Sequence, residues 1–355
     1  MDEQITTQHR AKIHIVRSQP ELNGAWSDTL AQVDRVNLGQ LPQWYRVIQE
    51  AYGHTPLYLA GETEAGDHAV LPAFLIRSPL FGGVVTSMPF LDSGGPCSSS
   101  STLSQILVTS LLNEAAKRGA HRIELRCTAP MDLPTSPVGD KVNMSLKLPN
   151  DPDRLWQKLD SKVRNQIRKA ERSGLSIEVG GGEKLHEFYE PFVHNMRDLG
   201  SPVHALTFFQ AIFKMFENKA HVVLVRKDAQ PIGGLITLEF KDSIIVPWAS
   251  SLREYLSLCP NMLLYWETLR SSCLAGISWF HFGRSSRNSG TYRFKRQWGA
   301  VEEPLFWYTF HTNARPSGQS SLIDRRAALL SNLWQRLPLG LTRWLGPQIR
   351  KYLTQ

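Results

Sequence analysis

The sequence contains few cysteines and no spacing typical of metal ligands. Its four cysteines, Cys97, Cys127, Cys259 and Cys273, lie far apart and form no CxxC pair. This spacing excludes the usual zinc sites and a disulfide framework, and we expect buried free thiols and no metal. No histidine and carboxylate cluster has the spacing of a metal site either.

Long apolar runs and several enzyme motifs are also missing. No stretch of about 18 apolar residues is present, which predicts that no helix spans a membrane. The N-terminal segment MDEQITTQHRAKIHIV lacks the basic-then-apolar order of a signal peptide, so we expect a cytoplasmic protein. There is no Gly-x-Ser-x-Gly motif, and VGGGEK at 179–184 lacks the Lys-Ser/Thr of a phosphate-binding loop and predicts a turn.

The composition is that of a globular protein with a basic surface. The chain has 355 residues, 42% of them hydrophobic and 20% charged, which is enough for two ordinary domains. A formal net charge of +8 favours an anionic partner, namely a nucleic acid, a phosphorylated substrate or an acidic lipid surface. Charge alone does not choose among the three.

The same order of predicted elements occurs twice along the chain. In the first half we predict strands at Leu57–Ala60, Ala69–Ile76, Gly82–Met88 and Arg122–Cys127, with a helix at Leu103–Lys117 before the last strand. In the second half we predict strands at His221–Val225, Ile232–Phe240, Ser243–Ala249 and Ile277–Phe282, with a helix at Met262–Leu274. The repeat predicts an α+β fold with two tandem domains, each a mixed, largely antiparallel sheet with flanking helices.

Proline-rich sequence around Pro149–Pro152 predicts the boundary between a domain at 1–150 and one at 151–311. A helix capped by Asn150 or Asp151 is expected to run to Ser173, and Phe306–His311 is expected to be the last strand. Residues 312–355 are predicted to form a linker and a basic amphipathic helical tail. That tail could lie on a membrane surface or dock on the first domain, and both interpretations stay open.

The stretch Phe280–Trp298 is predicted to leave a strand through Gly283 as a loop. It carries Arg284, Ser285, Thr291, Tyr292 and Lys295 within a dozen residues. Cations and hydroxyls at a strand end can hold an anionic or carbonyl group, and a solvated surface loop is the alternative.

Three other segments could contribute to a site. Arg164 and Arg168 lie one helical turn apart and either clamp phosphates or form a solvated face. Asn195, Arg197 and Asp198 form either a helix-end ion pair or part of a polar pocket. The helix that begins near Asn261 carries Tyr265, which is expected to be half core and half pocket wall.

Six segments resemble the FemAB family, and within it the branch associated with the XrtA/PEP-CTERM exopolysaccharide and protein-sorting system. They are LFGGVVTSMPFLDSGGP (80–96), NMRDLGSPV (195–203), VPWASS (246–251), PNMLLYWE (260–267), FGRSS (282–286) and GTYRFKRQWGA (290–300). The resemblance covers roughly residues 10–310.

The resemblance implies two GNAT-like domains with a cleft between them. It also implies transfer of an acyl or aminoacyl group to an amine of a peptidoglycan or exopolysaccharide precursor, at the inner face of the cytoplasmic membrane. The implied donor is aminoacyl-tRNA or acyl-CoA, with no tightly bound cofactor, and the implied acceptor is an anionic small molecule or a lipid-linked one. A peripheral contact of the tail with the inner membrane would be compatible with such an acceptor.

Residue roles follow from the resemblance. The lysine of the family's Phe-Lys pair corresponds to Lys295, which would stabilise the tetrahedral oxyanion. Arg164 and Arg168 would hold phosphates. The other residues expected at the cleft are Asn195, Arg197, Asp198, Trp248, Asn261, Tyr265, Arg284, Ser285, Thr291, Tyr292 and Trp298.

The sequence departs from the family in two places and from acetyl-CoA-dependent GNAT transferases in a third. The coiled-coil insertion of tRNA-using members is missing, and SLREYLSLCPN before the second helix lacks the glycine-rich pyrophosphate loop of acetyl-CoA enzymes. His281 stands where the branch has aspartate, and it would be a base if it faces the cleft. The missing pyrophosphate loop and His281 motivate an alternative function, a non-catalytic binder of anionic glycan or lipid intermediates on a transferase-like fold. A nucleic-acid-binding function would rest on charge alone.

Overall fold

The computed structural model describes residues 11–15, 24–33, 36–79, 82–312 and 329–354. Its helices are α1 Gly24–Gln32, α2 Gln43–Tyr52, α3 Ser101–Lys117, α4 Pro152–Lys158, α5 Ser161–Arg172, α6 Leu185–Asp198, α7 Leu206–Phe216, α8 Pro260–Leu274, α9 Gly290–Arg296 and α10 Leu339–Arg350. A further helical stretch covers 329–335. None of the helices in the described ranges has the length and apolar character needed to cross a membrane.

Strands and helices share the fold, as predicted. The strands are β1 Ala11–Ile15, β2 Thr55–Pro56, β3 Leu59–Thr63, β4 His68–Leu71, β5 Phe74–Ser78, β6 Gly82–Thr86, β7 Cys97–Ser98, β8 Ala120–Cys127, β9 Lys141–Lys147, β10 Leu175–Gly180, β11 Ala220–Lys227, β12 Gln230–Phe240, β13 Ser243–Ser251, β14 Trp279–Ser286, β15 Val301–Pro304 and β16 Phe306–His311. They are mostly antiparallel, with parallel pairs at β6–β8 and β13–β14. The predicted α+β class is therefore confirmed.

The first half of the chain contributes to two sheets, of strand order β1-β3-β4-β7 and β16-β8-β6-β5-β2. The prediction of one strand over Ala69–Ile76 is wrong, because the chain changes sheets inside that range. β4 pairs with β3, whereas β5 pairs with β6. Pro72 lies at the change and has no N–H to donate, so a regular ladder does not continue through it.

The second half of the chain forms most of a seven-stranded sheet, named here the second sheet, with the strand order β10-β11-β12-β13-β14-β9-β15. Its parallel pair, β13 and β14, is in register only from Ser243 opposite Trp279 to Ile245 opposite His281. Beyond His281 a bulge shifts the register of β14 against β9, and β13 and β14 form no further pairs. The sheet therefore opens in its middle, at the C-terminal half of β14.

The two halves exchange strands across the predicted boundary. β9, which precedes residue 150, pairs with β14 and β15 in the second sheet. β16, at the end of the second half, pairs with β8 in a sheet of the first half. The domain boundary at 150 stays a prediction, but strands from the two sides of this boundary pair with each other in the sheets.

A shared hydrophobic core joins the halves. One buried cluster contains Trp44 and Tyr58 from the first half together with Phe188 and Phe208 from the second. Tyr52 stacks on Phe208 with ring centroids 5.4 Å apart. Two further clusters lie under α3 and under α5 and α8. Because burial of aromatic rings contributes strongly to stability, the halves are held as one unit.

Two predictions about helices are wrong. The helix expected from Asp151 to Ser173 is broken into α4 and α5, because Leu159 turns into an extended conformation and is buried in the core below α5 and α8. The stretch expected to be a loop after Phe282 continues as β14 and then forms α9. Ser289 caps α9 by accepting a hydrogen bond from the backbone N–H of Tyr292 at 3.1 Å, a signal that the sequence contains.

The C-terminal tail packs on both halves. Arg343 forms an ion pair with Glu190 of α6, and the carbonyl of Thr354 accepts hydrogen bonds from Arg126 Nη2 at 2.7 Å and from the backbone N–H of Phe90 at 2.9 Å. The predicted tail helix over Leu322–Leu353 is interrupted between 335 and Leu339, and its part before 329 lies outside the described residues. The linker 313–321 also lies outside them.

Candidate active site

A cavity of about 1340 Å³ lies between the two halves and is named here the interdomain cavity. Its walls come from the loop 90–98 and the segment 127–132 of the first half, and from β14, β15 and the β12–β13 turn of the second. The acidic, basic and histidine residues of its lining are Asp92, Asp132, Lys241, Asp242, His281, Glu302 and Glu303. Carboxylates therefore predominate in the cavity, although the chain as a whole carries a net charge of +8.

Lys295 is a buried cation at the edge of this cavity. From α9 its Nζ donates to the carbonyl of Gly283 at 2.9 Å and to that of Arg284 at 2.8 Å. The residue is only 8% exposed. An ammonium group has three N–H donors, so the two carbonyls leave one donor for another acceptor.

Gly283 places that ammonium where the second sheet opens. Gly283 lines the cavity and has φ of +76°, a conformation that side chains other than glycine rarely adopt. A Cβ atom at this position would lie 3.1 Å from the carbonyl oxygen of Val246 on β13 and 4.0 Å from Lys295 Nζ. The ammonium therefore lies next to a residue of the cavity wall, where β13 and β14 separate, although Lys295 itself does not line the cavity.

Asp92 reaches this point from the first half of the chain. Its Oδ2 accepts a hydrogen bond from the backbone N–H of Arg284 at 3.0 Å, and its Oδ1 lies 3.2 Å from Arg284 Nε. The carboxylate also lines the cavity. Asp92 therefore links the first half to the turn of β14 whose carbonyls hold Lys295.

Two arginines that lie over the Trp307 ring, together with that ring, support the loop that carries Asp92. The guanidinium groups of Arg126 and Arg284 lie 4.6 Å and 4.8 Å from the centroid of the Trp307 ring. Trp307 Nε1 donates to the carbonyl of Asp92 at 3.0 Å, and Arg126 Nη1 donates to that of Leu91 at 2.7 Å. Buried hydrogen bonds to charged donors hold the loop in one conformation.

His281 lies on β14, two residues before Gly283, and lines the same cavity. Its Nδ1 lies 2.8 Å from Ser145 Oγ and 3.3 Å from Asn143 Nδ2, both on β9. Ser145 Oγ and Asn143 Nδ2 in turn contact Glu303 Oε2 of β15 at 2.8 Å and 3.1 Å. His281 thus faces the cavity rather than the core below α8.

Burial shifts the pKa values of both candidate catalytic groups. Burial lowers the pKa of Lys295 to about 8, while Asp92 raises it and Arg284 lowers it further. Burial also lowers the pKa of His281, and Glu303 and Asp242 oppose the shift. At neutral pH the lysine is mainly charged and the histidine mainly neutral.

The predicted aromatic residues belong to the core and not to the cavity lining. Tyr265 stacks on Phe282 at 5.5 Å and lies near Trp298, and burial raises the pKa of Tyr265. Trp298 is 1% exposed. Trp248 packs edge-on against Phe208 on the opposite face of the sheet. These rings shape the fold around the site without lining the cavity.

Three predicted polar residues are satisfied within the second half. Arg197 and Asp198 form the helix-end ion pair at 2.7 Å, which was one of the two interpretations. Asn195 Nδ2 donates to Ser250 Oγ at 2.9 Å. None of the three lines the interdomain cavity.

The first turn of α8 is also occupied by local contacts. Asn261 Oδ1 accepts a hydrogen bond from Ser251 Oγ at 2.6 Å. The segment before it contains a 3₁₀-helix, Arg253–Leu258, in place of a glycine-rich loop. Asn261 therefore fastens the start of α8 to β13.

The predicted phosphate clamp lies away from the cavity. Arg164 Nη1 lies 3.5 Å from the carbonyls of both Trp156 and Gln157, and the Arg168 guanidinium lies 5.4 Å from the Trp156 ring centroid. Neither arginine lines the interdomain cavity. The structure therefore does not bring Arg164 and Arg168 together with Lys295.

The remaining predicted residues flank Lys295. Thr291 and Tyr292 lie in the first turn of α9, with Thr291 exposed and Tyr292 packed against the core of the second sheet. Ser285 is 4% exposed, and its Oγ has no hydrogen-bond partner among the described residues. Arg284, by contrast, is placed directly beside Lys295 by the contact of its own carbonyl.

Sequence reasoning missed Asp92, Ser145, Asn143 and Glu303. Asp92 is the single charged residue of the glycine- and serine-rich loop after Met88, and that isolated charge was an available signal. The other three come together only because β9 and β15 pair across more than 150 residues of chain. No local pattern predicts that pairing.

Comparison with known proteins gives one family match and several structural ones. Residues 157–296 match the family described as an acetyltransferase (GNAT) domain, a range that includes Lys295 and His281. None of the curated proteins matches the sequence significantly.

Solved structures with similar folds span nearly the whole chain. The crystal structure of FemX has a TM-score of 0.61 at 13% identity, with 84% of this chain and 97% of that chain covered. A tandem GNAT protein from the clavulanic acid biosynthesis pathway has a TM-score of 0.52 at 10% identity, covering 86% of this chain and 100% of the other. The C-terminal domain of a protein described as a lysylphosphatidylglycerol synthetase, from Agrobacterium fabrum, has a TM-score of 0.50 at 13% identity, covering 88% and 95%. These findings confirm the tandem GNAT-like fold.

Proposed function

We propose that this protein transfers an acyl or aminoacyl group to an amine in the interdomain cavity. The observation that carries the proposal is the buried Lys295 ammonium, held by two carbonyls of β14 where β13 and β14 separate. The GNAT family match over residues 157–296 supports an acyltransferase in general. The FemX-like fold supports the FemAB-type version of the reaction at the level of architecture.

Lys295 would act on the reacting carbonyl. When the amine nitrogen attacks, a carbon–nitrogen bond forms and the carbonyl oxygen becomes an oxyanion. The free N–H of the Lys295 ammonium would stabilise that charge, because a fixed donor in a water-poor site is worth far more than one in water. The carbon–oxygen or carbon–sulfur bond to the donor then breaks, and the leaving group takes up a proton.

Two groups could accept the proton of the attacking amine. His281 is mainly neutral and lines the cavity two residues from Gly283. Asp92 is a carboxylate that accepts a hydrogen bond from the backbone N–H of Arg284 and lines the same cavity. An amine must lose its proton before or during attack, so a base near the reacting centre would accelerate the step.

The donor and the acceptor belong to the proposal as well. Acyl-CoA is supported by the GNAT match, and aminoacyl-tRNA by the resemblance to FemAB sequences. The acidic lining suits the amine end of the acceptor, which is an ammonium in solution. The net charge of +8 supports an anionic remainder of the acceptor, such as a peptidoglycan or exopolysaccharide precursor of the XrtA/PEP-CTERM-associated branch.

A peripheral membrane contact of the tail is part of this proposal. Leu329, Leu330, Leu333 and Trp344 are 68%, 65%, 58% and 69% exposed, and Arg336 lies exposed among them. Exposed apolar side chains beside a cation favour an anionic lipid surface at the inner face of the cytoplasmic membrane. Cosedimentation with phosphatidylglycerol vesicles, but not with phosphatidylcholine vesicles, is expected, and Leu330→Ser with Trp344→Ser should abolish it.

A donor panel tests the proposed reaction. The purified protein and a membrane extract of its source are incubated with labelled aminoacyl-tRNA pools or labelled acyl-CoA, and transfer of label to an amine product is scored. Transfer that Lys295→Ala abolishes and Arg296→Ala retains would support the proposal, because Arg296 is the exposed neighbouring cation of α9. Tight binding of glycan or lipid intermediates with no turnover for any donor would favour the non-catalytic binder instead.

A further inference from the structure

A chain of hydrogen bonds runs from the carboxylate of Glu303 to the imidazole of His281. Ser145 Oγ is 2.8 Å from Glu303 Oε2 and 2.8 Å from His281 Nδ1. Asn143 Nδ2 lies 3.0 Å from Ser145 Oγ and 3.1 Å from Glu303 Oε2. The four residues come from three neighbouring strands, β9, β14 and β15, so the sheet itself sets these distances.

The number of protons on these groups determines which group donates in each of these hydrogen bonds. An ionised carboxylate only accepts, so the short contact between Glu303 and Ser145 requires the single hydroxyl proton of Ser145. Ser145 then has no proton left for His281, and the equally short contact to Nδ1 requires that Nδ1 carry one. The amide of Asn143 has two N–H groups, which serve Ser145 Oγ and Glu303.

The opposite assignment leaves a close pair of oxygens without a proton. If Ser145 donated to Nδ1, its oxygen would face the Glu303 carboxylate at 2.8 Å with lone pairs on both sides. Such a contact is unfavourable, because a buried acceptor without a donor loses its hydrogen bond to water and gains none. The Nδ1–H tautomer therefore satisfies both 2.8 Å contacts of Ser145 and both donations from Asn143, and only the longer approach of Asn143 Nδ2 to Nδ1, at 3.3 Å, is then not a hydrogen bond.

We propose that Glu303, acting through Ser145, holds His281 as the Nδ1–H tautomer and so presents Nε2 as the proton acceptor of the interdomain cavity. No described residue forms a hydrogen bond with Nε2, and the ring lines the cavity. During transfer the amine would give its proton to Nε2 as its nitrogen bonds to the acyl carbon. Glu303 and Ser145 are positioning residues, and their role rests on the proposed function above.

The charged surroundings of the ring come from three elements. Glu303 lies on β15, Asp242 and Lys241 lie in the β12–β13 turn, and Lys147 is two positions from Ser145 on β9. The two carboxylates favour an imidazolium. Because burial has the largest effect, the ring stays neutral at pH 7 and able to accept a proton.

Nuclear magnetic resonance of the ring nitrogens tests the tautomer without any substrate. The full chain is labelled with ¹⁵N-histidine, and His281 is assigned from the signals lost in His281→Asn. The expected result is a protonated Nδ1 and an unprotonated Nε2 at pH 7.5. Glu303→Ala should shift the population toward Nε2–H, since Ser145 is then free to donate to Nδ1, whereas Glu303→Gln should retain Nδ1–H because its amide oxygen still accepts.

Glu302→Ala is the matched control. Glu302 is the neighbouring carboxylate on β15, lines the same cavity and pairs with Arg287 at 3.2 Å instead of with Ser145. The Glu302→Ala variant should therefore leave the tautomer of His281 unchanged. A wild-type His281 protonated on Nε2, or a tautomer unaffected by Glu303→Ala, would overturn the proposal.

The transfer reaction supplies the second readout. With a donor that supports turnover, Glu303→Ala is expected to lower kcat at least tenfold with little change in KM, and Glu303→Gln to restore most of it. A kcat unaffected by Glu303→Ala would refute the positioning role. If no donor supports turnover, the proposed function fails, while the tautomer measurement still decides the hydrogen-bond assignment.

Discussion

The buried ammonium of Lys295 is expected to make the stability of the protein depend on pH. Burial lowers its pKa from the ordinary value of 10.5 to about 8 in the folded chain. Between these values the unfolded chain binds more protons than the folded one, so the free energy of unfolding rises with pH. A shift of this size lowers the free energy of unfolding by roughly 3 kcal/mol below pH 8, and this loss disappears as the pH rises toward 10.5.

The assay compares wild type with Lys295→Met, which keeps an unbranched side chain and removes the charge. Urea unfolding is measured for both from pH 7 to pH 10, and the difference cancels groups that titrate equally in the two proteins. Wild type should gain about 2 to 3 kcal/mol relative to the variant over this range. The same comparison with Lys162→Met, at an exposed lysine of α5, is the control. A difference for Lys295→Met that stays flat with pH would refute a buried, charged ammonium at this position.

Three other predictions concern the surroundings of Lys295. Asp92→Asn removes the charge that holds the neighbouring turn of β14 and should lower kcat at least tenfold in the transfer assay, whereas Asp132→Asn, at an exposed carboxylate of the same cavity, should not. Gly283→Ala should lower the free energy of unfolding by about 1 to 3 kcal/mol in urea, because its φ is +76° and a Cβ would meet the Val246 carbonyl at 3.1 Å; an unchanged midpoint would contradict this. Deletion of residues 354 and 355 leaves the buried guanidinium of Arg126 without one hydrogen-bond acceptor and should lower the free energy of unfolding by about 1 to 3 kcal/mol, seen as a lower Tm. An unaltered Tm would count against the tail contact.

The duplicated element order was predictable because it depends on local patterns. Alternating apolar residues and a helix with one apolar face occur in each half, and these periodicities can be recognised without knowing which strands pair. The last strand, Phe306–His311, has the predicted bounds. The change of sheet at Pro72 was not predicted, because two short strands and one long strand have the same alternation.

The candidate site was predictable only in part. Lys295 and Arg284 stand out as cations close to a glycine, and the structure brings them together through the Gly283 turn. Tyr265 and Trp298 were candidates through the resemblance to FemAB sequences, yet both are core residues, because their large apolar surface dominates their placement.

The partners of these residues depend on tertiary structure. Asp92 meets Arg284 across 192 positions of sequence, and Ser145 meets Glu303 across 158. Contacts of this kind follow from the exchange of β9 and β16 between sheets, which no periodicity or spacing in the sequence indicates. Arg164 and Arg168 are the opposite case, in which a sequence pattern predicted a site that the structure does not form. The two cations are well spaced on α5, but neither lines the cavity.

Single-turnover transfer tests the central claim most directly. With donor and acceptor already bound, the rate of amide formation is measured for wild type, Lys295→Ala and Arg296→Ala. A fixed donor at the oxyanion predicts a rate about 10² to 10³ lower for Lys295→Ala, with Arg296→Ala close to wild type. Equal rates for wild type and Lys295→Ala would contradict the role of the buried ammonium in the reaction.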